Sequence, residues 1–183
     1  HWGGLLKDPA VILSHAIASI VSRDGRILVP GWTPAKVPDE VRAICREVEV
    51  EHVPGSPVPD LGWGEPNMTR AERIFMWTSV IVLSEISGQP ESPVNAVAGG
   101  ARARIQVRYT VDVPASEILP ALRAHLDAEG LTDVQVLPVQ ERDAFPASRT
   151  SPDDPWIKRV VRSMTATAGR RPNLIPSLGA SGP

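Results

Sequence analysis

The stretch from Ala101 to Val113 alternates between apolar and polar side chains without a break. Because successive side chains of a β-strand point to opposite faces, this pattern predicts a strand with one face on a core and the other open. Such alternation favours an antiparallel sheet. The open face would carry Arg102, Arg104 and Arg108. From the pattern alone, that face is either a solvated surface, which is the commoner case, or a surface that binds an anion.

Helical spacing of apolar residues occurs in four other segments. The first begins at Asp8-Pro9 and runs to about Ser22, because aspartate caps a helix and proline suits its first position. The others lie near 39–48, 118–130 and 155–169. Cys45 falls on the apolar stripe of the second segment, which predicts a core position. Thr69 with Glu72 matches a capping box and predicts one more, short helix.

Two further stretches predict strands. Residues 78–86 are rich in β-branched side chains, and Thr132 to Val139 reads as an edge strand because Pro138 cannot donate to a ladder. The predicted order is then helix, insertion, strand, strand, helix, strand. If a strand precedes His1, the fold is α+β and ferredoxin-like: a split βαββαβ unit with two helices on one face of a four-stranded antiparallel sheet.

The chain is expected to contain two units. Residues 1–150 form the first, interrupted at 31–77 by an insertion rich in proline and glycine. Residues 151–183 hold a helix and an extended piece that cannot bury their own apolar faces, so they should begin a neighbouring domain.

Composition excludes several classes of function. A net charge of −2 over 183 residues gives no basic excess for a nucleic-acid partner. Cys45 is the only cysteine, which excludes an internal disulfide and a cysteine zinc cluster. It favours a reducing, cytoplasmic location, although a secreted protein without disulfides fits the same count. No apolar run reaches the roughly 18 residues of a membrane span. Because the chain starts at His1 and not at methionine, we expect it to be a piece of a longer protein.

A complete catalytic site is not evident. The sequence has no HExxH, no P-loop and no GxSxG. Its histidines, at positions 1, 15, 52 and 125, lack the spacing of metal ligands. His125 falls on the helix near 118–130, where we expect it at the surface.

Three short motifs nevertheless occur in a familiar order. The chain opens with HWGGLLKDP, a helix and DGRILVPG, continues with SPVNAVAGGARARIQVR, and closes with GASGP. The first run resembles an HSGxFGG segment, a helix and DGxxxxPG, and the second resembles an N/T-x-I-P segment that leads into a strand ending in arginine. The third resembles a GGSIP turn. All three motifs belong to one family, the zinc-dependent metallopeptidases and amidohydrolases of the aminoacylase, carnosinase and acetylornithine deacetylase type, peptidase family M20.

The resemblance implies a two-domain enzyme. Its α/β catalytic domain would hold two zinc ions, and an inserted lid domain would form a homodimer. Residues 1–150 would be the lid, and 151–183 the start of the returning catalytic domain. The substrate would be a peptide or an N-acyl amino acid whose scissile bond lies next to a carboxylate.

The resemblance also implies roles for individual residues. His1 would reach the partner subunit's cleft and stabilise the developing oxyanion. Arg108 would pair with the substrate carboxylate, for which a planar guanidinium is suited, and Asn95 would add a hydrogen bond. Ser181 would bind the same carboxylate.

Several positions depart from the family pattern: Trp2, Ala98, Ser177 and Gly182. Ser177 stands where some carnosinase-like members have an arginine, which leaves the substrate open. The zinc ligands of the family lie before His1 and after Pro183. We therefore expect this chain alone to bind no catalytic zinc and to hydrolyse nothing.

Two other functions fit the same pattern. One is a non-enzymatic, ferredoxin-like dimeric module that binds a ligand or regulates another domain. The other is a structural dimerisation domain with a solvated arginine face.

Overall fold

The computed structural model describes residues 2–50, 54–137 and 145–174. Over these residues the fold is α+β. Its elements are α1 (Pro9–Ile20), α2 (Asp39–Glu47), α3 (Arg70–Phe75), β1 (Ser79–Ser87), β2 (Ala101–Arg108), a 3-10 turn (Ala115–Glu117) that leads into α4 (Ile118–Ala128), and α5 (Pro155–Ala168). No helix in these ranges is both long and apolar enough to cross a bilayer.

The helix ends follow the predicted capping residues. Asp8 accepts a hydrogen bond from the backbone N–H of Ala10 at 2.9 Å at the start of α1. Thr69 and Glu72 form the reciprocal capping box of α3. Asp154 caps α5, and Gly169 ends it in the left-handed conformation with φ 68°. These predictions are confirmed.

The two strands form an antiparallel ribbon in which Ser79 pairs with Arg108 and Ser87 with Ala101. The ladder contains a bulge, because β1 advances two residues, from Val82 to Ser84, while β2 advances one. Leu83 is the extra residue. Along β2, exposed and half-buried side chains alternate as predicted.

The second strand is shorter than its pattern suggested. It ends at Arg108 and not at Val113. The reason is that β1 starts opposite Arg108, so later residues have no ladder partner. They turn instead, and the N–H of Val113 donates to the Thr110 carbonyl at 3.0 Å. Val113 is nevertheless buried, as its apolar character requires.

A first core, the helix–ribbon core, lies between the ribbon and two helices. Its buried residues are Ile20, Val29 and Trp32. Around them pack partly buried side chains of β1, β2 and α4, together with two near the turn after α1: Val80, Ile105, Val107, Ile118, Ala121, Leu122, Val21 and Ile27. The Trp32 indole N–H donates to the Ile118 carbonyl at 2.9 Å, so its one polar atom is satisfied. The helices therefore cover one face of the ribbon.

A second core, the insertion core, lies between α2 and α3. Its buried apolar residues are Val37, Cys45, Ala71 and Met76. Cys45 is fully buried, which confirms its predicted core position. The carboxylate of Glu72 is buried beside them with 1% of its surface exposed.

Two predictions fail in the region of α4. Residues 132–137 form no strand, and 138–139 lie outside the described residues. The carbonyls of Leu131 and Val134 accept hydrogen bonds from the Arg123 guanidinium of α4, and within the described ranges no third strand offers this segment a ladder. The four-stranded sheet is thus not confirmed. His125 is half-buried, because its Nε2–H donates to the Ser19 carbonyl at 2.9 Å and ties α4 to α1.

Candidate functional site

The face of the ribbon opposite the helices carries the predicted arginines. Arg102, Arg104 and Arg108 are all exposed on β2. Their partners across the ladder are Ile86, Ser84 and Ser79. Neutral residues therefore stand opposite each arginine, so the cross-strand pairs neutralise none of the three charges.

Arg108 is the last residue of the ladder. Its Nε donates to the Gln106 side chain at 3.4 Å, which is a weak bond between neighbours on the same face. Within the described residues, no carboxylate lies within salt-bridge distance of Arg108, Arg104 or Arg102. A guanidinium in this setting can offer a pair of parallel N–H donors to an external carboxylate.

Asn95 lies in the loop that joins the strands. It is exposed, and within the described residues its side chain has no hydrogen-bond partner. The loop meets the ribbon at Ser87 and Ala101, whereas Arg108 stands at the other end. The eight residues of β2 span roughly 24 Å at the rise of an antiparallel strand. No hydrogen bond joins the two predicted residues, and their convergence stays a prediction.

The other two predicted site residues, His1 and Ser181, lie outside the described residues. Ser177 and Gly182 also lie outside them. The roles implied for His1 and Ser181 stay predictions.

A metal site does not fit the described part of the chain. Within 2–50, 54–137 and 145–174, no group of three or more histidine, cysteine, aspartate or glutamate side chains could hold an ion. The zinc implied by the resemblance would need donors from elsewhere in the protein.

An open cleft of about 470 Å³ lies beside the insertion core. Its lining is Pro34, Ala35, Lys36, Val37, Asp39, Arg42, Met68 and Trp77. Among the described residues, neither Asn95 nor Arg108 borders it, and acidic and basic groups share its rim. The cleft is therefore separate from the arginine face.

Sequence reasoning missed an ion pair in the segment that follows Arg108. Arg149 donates from both terminal nitrogens to the two oxygens of Asp112, each at 2.7 Å. These hydrogen bonds hold the pKa of Asp112 below its ordinary value, although burial opposes them, and they raise the pKa of Arg149. The partners are 37 residues apart, and nothing in the local pattern of either segment pairs them.

It also missed how the charge of Glu72 is balanced. The capping box predicted its bond to Thr69, but the carboxylate also meets Arg46 Nε at 3.2 Å and Arg42 Nη1 at 3.6 Å, both from α2. Burial alone would raise the pKa of Glu72, but the bonds from Thr69 and Arg46 outweigh it and lower that pKa. The cluster joins α2 to α3 and is structural.

Comparison with known proteins finds a shared fold but no match of sequence. No protein-family model and no curated protein matches the sequence. Solved structures do match its fold, among them the following three. An M20 family metallo-carboxypeptidase from Sulfolobus solfataricus, Sso-CP2, aligns with 100% of this chain at 18% identity and a TM-score of 0.68. The di-peptidase Dug1p from Saccharomyces cerevisiae aligns with 98% at 14% identity and a TM-score of 0.61.

Human carnosine dipeptidase 1 aligns with 96% of the chain at 17% identity and a TM-score of 0.57. The chain spans 42%, 39% and 39% of the lengths of these three proteins, so the shared fold covers only part of each. The resemblance to M20-type metallopeptidases, read first from the sequence motifs, is thus confirmed at the level of the fold.

Proposed function

We propose that this chain is the lid and dimerisation part of a dinuclear zinc metallopeptidase or amidohydrolase. The observation that carries the proposal is the exposed Arg108, which has no acidic partner in the described residues and stands on the uncovered face of the ribbon. It is supported by the shared fold with a metallo-carboxypeptidase and two dipeptidases and by the motifs around His1, Asn95 and Ser181.

In this proposal Arg108 binds the carboxylate of a peptide or an N-acyl amino acid. Its guanidinium donates two parallel N–H groups to the two carboxylate oxygens, which fixes the orientation of the substrate as well as its affinity. Asn95 and Ser181 add hydrogen bonds to the same substrate. His1 acts in the partner subunit's cleft, where its ring N–H donates to the oxygen that becomes negative as the amide is attacked.

The zinc ions would activate water and polarise the scissile carbonyl when bound. Their ligands would come from the catalytic domain, outside the described residues. The described chain supplies binding and orientation, and by itself it should be inactive.

The test is substitution of Arg108 in the intact protein. A charge-assisted pair contributes about 1.5–3 kcal/mol, so Arg108→Ala should weaken binding of a carboxylate-bearing substrate about 10- to 150-fold. Arg108→Lys should restore only part of this, because an ammonium cannot make the paired contact. The matched control is Arg104→Ala, which removes the same charge from the same face.

The readouts are KM and kcat for a panel of dipeptides and N-acyl amino acids, each compared with its C-terminal amide. Arg108→Ala should raise KM for the acids and leave the amides unchanged. Dimerisation, measured by sedimentation, should be the same in all variants. Equal effects of Arg108→Ala and Arg104→Ala, or loss of the dimer with normal turnover, would instead favour the non-enzymatic or purely structural alternatives.

A further inference from the structure

The segment that follows β2 is tied to the segment that precedes α5 by two separate contacts. One is the paired hydrogen bond between Arg149 and Asp112, in which both N···O distances are 2.7 Å. The other runs from the Tyr109 hydroxyl to the Phe145 carbonyl at 3.1 Å. Because the partners are 36 and 37 residues apart, both contacts close a long loop onto the end of the strand.

The ion pair is well placed to be rigid. The side chains of Arg149 and Asp112 are 28% and 20% exposed, so water competes only partly for the bond. The Thr110 hydroxyl lies 3.4 Å from the same Asp112 carboxylate. A two-point guanidinium–carboxylate contact also fixes the relative orientation of its partners, which a single bond does not.

This contact matters for Arg108 because the ladder ends there. On one side Arg108 is held by its pairing with Ser79, but on the other side no strand continues. The backbone after it is fixed by the turn that joins Thr110 to Val113, and Asp112 lies within that turn. A contact that fixes Asp112 therefore also restrains the backbone that follows Arg108.

We propose that Asp112 and Arg149 are positioning residues that clamp the end of β2 to the segment leading into α5 and thereby fix the place of Arg108. This inference rests on the proposed function, in which Arg108 binds the substrate carboxylate and α5 begins the catalytic domain. The Asp112–Arg149 pair then couples the position of Arg108 to the catalytic domain, which Arg108 must face in order to bind the substrate there.

The test uses Arg149→Ala, Asp112→Ala and the exchanged pair Asp112→Arg with Arg149→Asp in the intact protein. Each single change should raise KM for a carboxylate-bearing dipeptide about fivefold with kcat nearly unchanged, because the binding group is misplaced but not lost. The exchanged pair should recover part of the loss. The matched control is Lys158→Ala, which breaks an exposed ion pair with Asp153 close to the same segment and should leave KM unchanged.

Two further readouts separate positioning from simple stability. In an Arg108→Ala background, Arg149→Ala should have no additional effect on KM, since the group it positions is gone. Amide hydrogen exchange at 109–113 should be faster in Arg149→Ala than in Lys158→Ala. Unchanged exchange, or a KM effect that persists without Arg108, would overturn the clamp.

The two proposals fail in different ways. If Arg108→Ala raises KM but Arg149→Ala does not, the clamp is wrong and the proposed function stands. If neither change affects KM, the proposed function is wrong and the positioning role falls with it.

Discussion

The helix–ribbon core encloses a large aromatic side chain, whereas the insertion core encloses a carboxylate. Trp32 is 1% exposed and its single polar atom is bonded to the Ile118 carbonyl. Glu72 is equally buried, but its charge needs three partners: the Thr69 backbone N–H at 2.7 Å, Arg46 and Arg42. Both clusters bury apolar side chains, but the insertion core also depends on a buried carboxylate that must be paired.

The difference predicts how each core responds to change. Apolar burial is non-directional and depends little on pH, so the helix–ribbon core should weaken in proportion to the volume removed. A buried ion pair depends on every partner, because a charge left alone in the interior is costly. The stability of the insertion core should therefore fall when a single partner of Glu72 is removed, and also at low pH.

The largest loss of stability is expected from Trp32→Ala. It should lower the free energy of unfolding by about 3–5 kcal/mol through lost burial and the cavity left behind. Chemical denaturation of the protein would measure this, with Trp156→Ala as the control, since that ring is 65% exposed. Similar losses in both variants would contradict the assignment of Trp32 to a core.

The next largest loss is expected from Glu72→Ala. It removes the capping acceptor and leaves Arg42 and Arg46 without their carboxylate, so the free energy of unfolding should fall by about 3 kcal/mol. Glu72→Gln should cost less, because its side-chain oxygen can still accept from Thr69. The same denaturation experiment applies, and Glu47→Ala, which changes an exposed glutamate on α2, should be nearly neutral.

A smaller effect is expected from pH. Since the pKa of Glu72 is lowered in the folded protein, its contribution is complete above its unfolded pKa of about 4.3 and is lost as the pH falls through the folded value. The stability advantage of the unmutated protein over Glu72→Gln should therefore shrink below about pH 4. Denaturation curves from pH 3 to 7 would check this, and a gap that is constant with pH would refute it.

The smallest effect concerns the reactivity of Cys45. Burial, and secondarily the charge of Glu72, raise the pKa of this thiol, so a thiol reagent should label it slowly at pH 8. Labelling then reports opening of the insertion core alone. Glu72→Gln should speed it about tenfold, whereas Trp32→Phe should leave it unchanged if the two cores open independently.

The sequence predicted those features that depend on neighbouring residues. The caps at Asp8 and Asp154, the Thr69–Glu72 box and the alternation of β2 are all local, and each was found where expected. The arginine face followed from the alternation together with a helix over the opposite side.

Features that join distant segments could not be predicted in the same way. Residues 132–137 have a strand-like composition, but a strand exists only with a ladder partner, and Arg123 bonds to the backbone carbonyls of this stretch instead. The Asp112–Arg149 pair and the α2 arginines around Glu72 depend on the folded path of the chain. The sequence placed His125 at the surface because no local pattern reveals its hydrogen bond to Ser19, which lies 106 residues away in the chain.

The bulge at Leu83 determines how the arginines are presented. It falls between the pair Ser79 with Arg108 and the pair Ser84 with Arg104. Because a bulge increases the local right-handed twist, the ribbon should twist more strongly between Arg108 and Arg104 than an unbroken ladder would. Deleting Leu83 would leave every side chain on its present face but would reduce that twist, and so change the direction in which Arg108 projects relative to Arg104 and Arg102.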